Sequence, residues 1–450
     1  MPPPNVSYVS RDLLHVWHPC TQMKDHEHLP LIPVRRASGV WLEDMAGRRY
    51  LDAISSWWVN LFGHCNPRIN AAVHAQLEQL EHVILAGFTH EPVIALSEAL
   101  VAVAPAGLTR CFYADNGSSA VEVAVKMSFH YWRNVGENRH RFITLSNSYH
   151  GETLGALAVG NVRLYKDVYR PLLMDVITVH SPDCFEREAG ESWAEHSTRK
   201  FAQMEAALAR HAHETAAVII EPLVQCAGSM RMYDPVYLTL LREACDRHRV
   251  HLIADEIAVG FGRTGTLFAC EQAGIRPDLM CLSKGLTGGY LPLSVVMTTE
   301  PIYAAFYDEY ARQNAFLHSH SFTGNPLACA AARASLAIFQ EDGTLERNRA
   351  LAAHLGARAR ELVDHPHVAE VRQHGMILAI ELVRDKATRE PYAWQERRGL
   401  TLYRHGLERG VLLRPIGEVV YFMPPYVITP EEIDLMVEVA REGIEKATCD

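Results

Sequence analysis

Between about Cys111 and Thr299 short apolar runs recur, each separated from the next by a stretch with helical spacing. The runs are TRCFYAD, RFITLSN, AAVIIEPL, VHLIADEI, LMCLSK and LSVVMTT. Runs this short and this continuously apolar are strands buried on both faces, and helices between them predict a mainly parallel sheet in an α/β domain. The two ends of the chain read differently. GVWLEDMAGRRYLDAIS alternates around an Ala-Gly turn, as a hairpin does. VAEVRQHGMILAIELV and GVLLRPIGEVVYFMPP predict further strands near the C-terminus. Thr429 then opens a last amphipathic helix as its N-cap, with Pro430 in the first turn and Glu432 closing a capping box. The polar stretch SPDCFEREAGESWAEHSTRK, from about Ser181 to Lys200, is expected to be a loop or insertion. The predicted organisation is a large sheet domain over 65–335 and a smaller α+β domain built from 1–64 and 336–450.

Composition narrows the class without naming it. The 450 residues are 48% hydrophobic and 21% charged, the profile of a soluble globular protein with room for a large core. A net charge of −10 without a basic block argues against a nucleic-acid or anionic-membrane partner, since phosphate contacts need clustered Lys and Arg. No apolar run approaches the roughly 18–20 residues of a membrane span. MPPPNVSYVSRDLL lacks the basic-then-apolar pattern of a secretory signal. The ten cysteines carry no metal-ligand spacing, and most sit in apolar contexts, which fits reduced thiols of a cytoplasmic protein.

The chemistry gathers at the ends of the apolar runs. Lys284 closes LMCLSK and is followed at once by GLTGG. A lysine there can simply snorkel to the surface, but a desolvated lysine is also the type that condenses with a carbonyl. The glycines after it are expected to let the backbone pass close to a bulky cofactor. Asp255 ends LIAD, where a carboxylate needs a partner or solvent; a structural salt bridge or helix cap would also satisfy it, and Glu256 is an equally visible acid. A pyridoxal phosphate would use both residues, its aldehyde condensing with the lysine and its ring nitrogen needing an anion to stay protonated. ADNGSSAVEVAVK runs from a strand end into a helix, so the amides of Gly117, Ser118 and Ser119 would face an anion. The same residues are ordinary turn-and-cap chemistry, with Ser119 and Glu122 at capping-box spacing. Tyr149, after RFITL, offers a ring face or a cover for the core edge. Glu221 is one more acid at a strand end, where an ion pair with an arginine would serve as well.

These residues, in this order, resemble the class III pyridoxal-phosphate aminotransferases. The resemblance rests on NGSSAVEVAVK, SYHGETLGALAVG, VIIEP, LIADEIAVGFGRTG, CLSKGLTGGYLPLS and HSFTGNPLACAA, and covers nearly the whole chain. Within that family LHVWHPCTQM, SSWWVNLFGH and LLRPIGEVVYFMPPYVITP are similar to members that aminate 8-amino-7-oxononanoate in biotin synthesis, with S-adenosyl-L-methionine as donor. The resemblance implies the fold type I, aspartate aminotransferase-like architecture, with a seven-stranded-type sheet, pyridoxal 5′-phosphate as cofactor and a homodimer with shared sites. It implies that Lys284 is the covalent anchor and proton shuttle and that Asp255 pairs with the ring nitrogen. Gly117 and Ser118 would hold the phosphate, Tyr149 would stack on the ring and touch substrate, and Glu221 would border the cofactor. Trp57 and Trp58 would line the substrate channel, and Arg414 would receive the carboxylate of the keto acid. Ser319, His320 and Ser321 would reach the site from the neighbouring subunit, His320 and Ser321 towards the cofactor and Ser319 towards substrate.

Three positions depart from the frequent family pattern. Cys20 stands where a tyrosine often follows WHP, Ser319-His320-Ser321 where Gly-Pro-Thr is common, and Glu152 where an aspartate is often seen. Cys20 leaves a substrate-contacting hydroxyl absent or supplied elsewhere. Ser319 and His320 alter the pocket wall while Ser321 keeps a hydroxyl for the phosphate, and Glu152 keeps the charge with a longer reach. None removes a catalytic group. Lysine as the donor, a broader ω-aminotransferase and a non-catalytic cofactor-binding regulator are the alternative readings. The last is opposed by Lys284 and Asp255 standing together.

Overall fold

The computed structural model describes residues 4–449. All six apolar runs are strands of one seven-stranded sheet, in the order Leu108–Ala114, Ser294–Thr299, Leu279–Leu282, His251–Asp255, Thr215–Ile220, Arg141–Leu145 and Ile177–Val179. The last of these, three residues in a polar context, carries too short a pattern to be read from sequence. Every neighbouring pair from Leu279–Leu282 to Ile177–Val179 is parallel, and Ser294–Thr299 is antiparallel to both its neighbours. The sheet is apolar throughout because both faces are covered. Along Thr215–Ile220, Ala217 and Ile219 share a core with helix Gly117–Asn134, while Val218 and Ile220 join Phe201, Leu208 and Leu241 of helices Trp193–His211 and Val236–His248.

The termini form smaller sheets. Val34–Ser38, Trp41–Asp44 and Arg49–Asp52 make an antiparallel meander, including the predicted hairpin, and Val411–Leu412 adds to Arg49–Asp52 in parallel. Val368–His374, Ile377–Leu382 and Val419–Phe422 form an antiparallel three-stranded sheet. Helix Pro430–Thr448 opens with the predicted capping box, Thr429 accepting from the Glu432 amide and the Glu432 carboxylate from the Thr429 amide. The stretch expected as a loop is one only as far as Ser192. There a second capping box with Glu195 starts a helix at Trp193, because local hydrogen bonding outweighs the polarity of the segment.

Ser55–Trp58 is a left-handed turn, with φ of 51°, 46°, 73° and 72° at four successive non-glycine residues. Left-handed backbone costs about 1–2 kcal/mol per residue, so other contacts must hold it. Ser55 Oγ donates to the Met423 carbonyl at 2.7 Å and Ser56 Oγ to Asp52 at 2.7 Å. The Trp58 indole N–H meets the Tyr421 hydroxyl at 3.1 Å. Arg263, fully buried, donates to the carbonyls of Asn60 at 3.0 Å and Pro424 at 2.8 Å, clamping the turn to the C-terminal segment.

Candidate active site

Five strands deliver their carboxyl ends to one edge of the large sheet, and a cavity of about 440 Å³ opens there. Its wall includes Gly117, Ser118, Tyr149, Glu221, Asp255, Lys284 and Trp58. Register explains the gathering. Ala254 pairs with Ile220, so Glu221 and Asp255 leave adjacent strands side by side, and Asp255 pairs with Cys281, three residues before Lys284.

At one end of the cavity helix Gly117–Asn134 begins. The Asn116 carboxamide caps it, accepting from the Ser119 amide at 3.0 Å, so the box expected between Ser119 and Glu122 does not form. Glu122 turns instead to the start of helix Leu154–Val159, accepting from the amides of Gly155 at 2.7 Å and Ala156 at 3.1 Å. The first-turn amides of Gly117 and Ser118 are left at the cavity wall, where the helix dipole favours an anion. The Ser118 hydroxyl is held at 2.8 Å by that of Thr153. Gly151, at φ 120°, lets the following loop settle on this turn, since a Cβ there would stand 2.4 Å from Ser118 Oγ.

Asp255, on the same wall, is buried and doubly bound. Its Oδ2 accepts from His150 Nδ1 at 2.7 Å and its Oδ1 from the Ile257 amide at 3.1 Å. An ionised carboxylate only accepts, which places the imidazole proton on Nδ1. His150 Nε2 is buried and has no partner among the described residues. Sequence reading passed over His150 in favour of the tyrosine before it; a histidine next to a strand-end tyrosine carries no positional signal until Asp255 is placed opposite.

Among the described residues Glu221 makes no arginine ion pair. Its oxygens accept from the amides of Tyr149 at 2.9 Å and Cys226 at 3.0 Å, and burial together with the Asp255 charge pushes its pKa well above the usual range. Glu256 and Asp255 separate cleanly, because successive strand residues point to opposite faces. Glu256 turns away and caps the segment Ala269–Ala273 through the amides of Ala269 at 2.9 Å and Cys270 at 2.8 Å. Burial pushes its pKa from 4.5 up to about 7. A carboxyl raised in this way binds its proton in the native state before the unfolded chain does, so its contribution to stability is lost as pH rises from 4.5 through about 7. Thermal unfolding followed from about pH 5 to about pH 8 is expected to show this fall, and Glu256→Gln to flatten it. An unchanged slope in the variant would count against the assignment.

Lys284 is half-buried at φ 46°, its Nζ 4.6 Å from the centroid of the Trp58 ring. Burial lowers its pKa, while Cys226, Asp255 and Glu221 pull the other way. The glycines after it permit close approach, as the sequence suggested, and what lies against them is the chain itself. A Cβ at Gly285 would meet Leu61 at 3.1 Å, one at Gly288 would meet Ile69 at 3.0 Å, and one at Gly289 would meet the Val59 carbonyl at 2.9 Å. They let the lysine loop lie directly on the segment that follows Trp57 and Trp58.

The remaining predicted residues fall around the mouth or beyond it. Tyr149 lines the cavity, donates to Glu152 at 2.9 Å and meets Tyr165 edge-on. Cys20 Sγ lies 3.7 Å from the Tyr165 hydroxyl. Trp58 is on the wall, whereas Trp57 is 41% exposed and stacked under the Arg414 guanidinium at 4.9 Å. Ser319, His320 and Ser321 are not on the wall. Ser319 and Ser321 are exposed, and His320 sits between Asp115, 3.0 Å away, and His318, 3.1 Å away.

A lysine, a buried acid, a helix N-terminus and an aromatic ring on one cavity wall are the donor set that suits pyridoxal phosphate. Fold and site together define a pyridoxal-phosphate-dependent transferase of fold type I. The chain belongs to the class III aminotransferase family, whose model matches residues 22–444. It is similar to the adenosylmethionine-8-amino-7-oxononanoate aminotransferase of Geobacter sulfurreducens, at 45% identity over 97% of each chain. The enzyme of the same name from Helicobacter pylori is also 45% identical, over 94% of each. Among solved structures, that of the Methanocaldococcus jannaschii adenosylmethionine-8-amino-7-oxononanoate aminotransferase superimposes with a TM-score of 0.93, at 36% identity over 99% of this chain and 100% of the other. The omega transaminase of Pseudomonas jessenii in complex with PMP gives a TM-score of 0.93 at 28% identity, over 98% of each chain.

Proposed function

We propose that the protein transfers an amino group from S-adenosyl-L-methionine to the 7-keto carbon of 8-amino-7-oxononanoate, forming 7,8-diaminononanoate for biotin synthesis. The observation that carries this reading is Lys284 and Asp255 converging on one cavity at the carboxyl ends of neighbouring strands, in a chain similar over nearly its full length to aminotransferases named for these substrates.

Bound pyridoxal phosphate supplies an aldehyde that condenses with amines and a protonated ring that withdraws electrons. Gly117 and Ser118 hold the phosphate, Tyr149 presents its ring, and Asp255 keeps the proton on the ring nitrogen while His150 fixes the carboxylate. Lys284 would hold the cofactor covalently through its Nζ, and the same amine, when free, would take the proton from the donor α-carbon and deliver one to C7 of the acceptor. Arg414 binds the distant carboxylate of the keto acid and positions it without reacting. A second copy of the chain completes each site through Ser319, His320 and Ser321, giving a cytoplasmic homodimer. The cofactor domain spans 65–335, and the small domain combines 1–64 with 336–450.

Half-reactions test the substrates. Absorbance of the cofactor-loaded protein is expected to bleach with S-adenosyl-L-methionine and return with 8-amino-7-oxononanoate. Bleaching by lysine instead would reassign the donor, and faster turnover of simple ω-amines would reassign the acceptor. Arg414→Ala is expected to raise KM for the keto acid by about 10–100-fold, the value of a charged hydrogen-bonded pair, with little change for the donor. Equal effects on both substrates would remove Arg414 from its assigned role.

A further inference from the structure

The two adjacent tryptophans do different work. Trp57 turns outwards under Arg414, on the side assigned to the substrate carboxylate. Trp58 turns inwards, is 4% exposed, and presents its face to the Lys284 amine with 4.6 Å between Nζ and the ring centroid. The indole is not free to drift. Its N–H is bound to the Tyr421 hydroxyl at 3.1 Å, the Tyr421 ring packs against it at 72°, and its own backbone belongs to the left-handed turn clamped by Arg263. The lysine is held just as firmly, since Gly285, Gly288 and Gly289 seat its loop against Leu61, Ile69 and Val59. Two elements far apart in sequence are thus locked together, with an amine placed over an aromatic face.

We propose that Trp58 is a positioning residue for the Lys284 amine, its ring face seating the free amine between proton transfers and favouring the charged form. The proposal rests on the reading of Lys284 as the covalent anchor and goes beyond the lining role of the tryptophan pair. The physical need is plain. A base that carries a proton from one carbon to another must hold that proton in transit, and burial opposes the charged state of a lysine. The other groups acting on this amine are Cys226, Asp255 and Glu221, which favour its charge, and Arg263, which opposes it. Asp255 and Glu221 are already committed, to His150 and to backbone amides respectively. An aromatic face attracts a desolvated ammonium strongly and demands no proton of its own. It also fixes the amine in one orientation, which a flexible four-carbon stem does not do unaided.

The test varies the electronics of the ring and leaves its shape alone. Trp58 is replaced site-specifically by mono-, di- and trifluorotryptophan, each fluorine draining negative potential from the face. In the cofactor-free protein the apparent pKa of Lys284 is read from the pH dependence of its reductive methylation, followed on its own peptide by mass spectrometry. The pKa is expected to fall stepwise across the series, by roughly one unit in total, with Trp58→Phe lying between the ends. A flat or rising series overturns the proposal, because a merely structural role would survive fluorination without moving the titration. Borohydride reduction of the cofactor-loaded variants separates this from the broader reading. A covalent adduct on Lys284 together with a flat series removes the aromatic seat alone. An adduct on another lysine overturns both.

Discussion

Lys284→Ala is expected to lower kcat/KM by at least about 10⁴-fold, the upper end of what a positioned general base supplies. On the proposed reading the residue acts twice, as covalent anchor and as proton carrier, and no other lysine stands on the cavity wall among the described residues. Asp255 and Glu221 are acids already engaged, and Tyr149 donates its hydroxyl to Glu152. Burial raises the Tyr149 pKa far above neutrality, which removes it as a base. The fold should tolerate the change, because removing a buried amine relieves a desolvated charge. Steady-state rates, single-turnover kinetics and borohydride trapping would be measured on the purified variant. Retention of a trapped cofactor adduct, or of more than about one part in 10³ of the rate, would show that another group carries the chemistry.

Asp255→Asn is the more discriminating of the two substitutions. Asparagine keeps the size of the side chain, and its carbonyl oxygen can still accept from His150 Nδ1, so the geometry of the pair survives while the charge does not. If the carboxylate serves to keep the cofactor ring protonated, kcat should fall by about 10²–10³-fold, the scale of a lost preorganised electrostatic contact, with KM for either substrate nearly unchanged. Stability should fall by about 1–3 kcal/mol, because the carboxamide has one accepting oxygen, and when that faces His150 Nδ1 the Ile257 amide loses its acceptor. A loss confined to KM, or a large drop in melting temperature, would recast Asp255 as a structural acid.

The strands, and the polar residues Lys284 and Asp255 at their ends, were readable because their signals are local. A buried parallel strand needs an unbroken apolar run, and a charge placed at its end is visible against that background. Lys284 and Asp255 announced themselves in this way. What stayed hidden depends on contacts between distant segments. His150 acquires a meaning only when Asp255 stands 2.7 Å away. The separate orientations of Trp57 and Trp58 follow from four left-handed residues that no propensity favours and that Asp52, Arg263, Met423 and Tyr421 sustain. The glycines after Lys284 were rightly seen as permitting close approach, but what approaches is the chain's own segment 59–62 and the helix at Ile69. Asn116 displaced Ser119 as the cap because the two lie three residues apart and either can begin a helix; the choice depends on where the preceding strand ends.

The parallel pairing of Arg49–Asp52 with Val411–Leu412 has a consequence for the order in which the molecule is assembled. It joins a segment near the start of the chain to one near its end, as do the bonds from Ser55 to Met423 and from Trp58 to Tyr421. Closing so long a loop is entropically slow, and on the ribosome it must wait until residue 423 has emerged. The large sheet needs nothing beyond Thr299 for its own ladders, so it can form first. An immature chain can therefore display the phosphate turn and Asp255 before the tryptophan wall exists, and the wall closes over the lysine as one of the last events of folding.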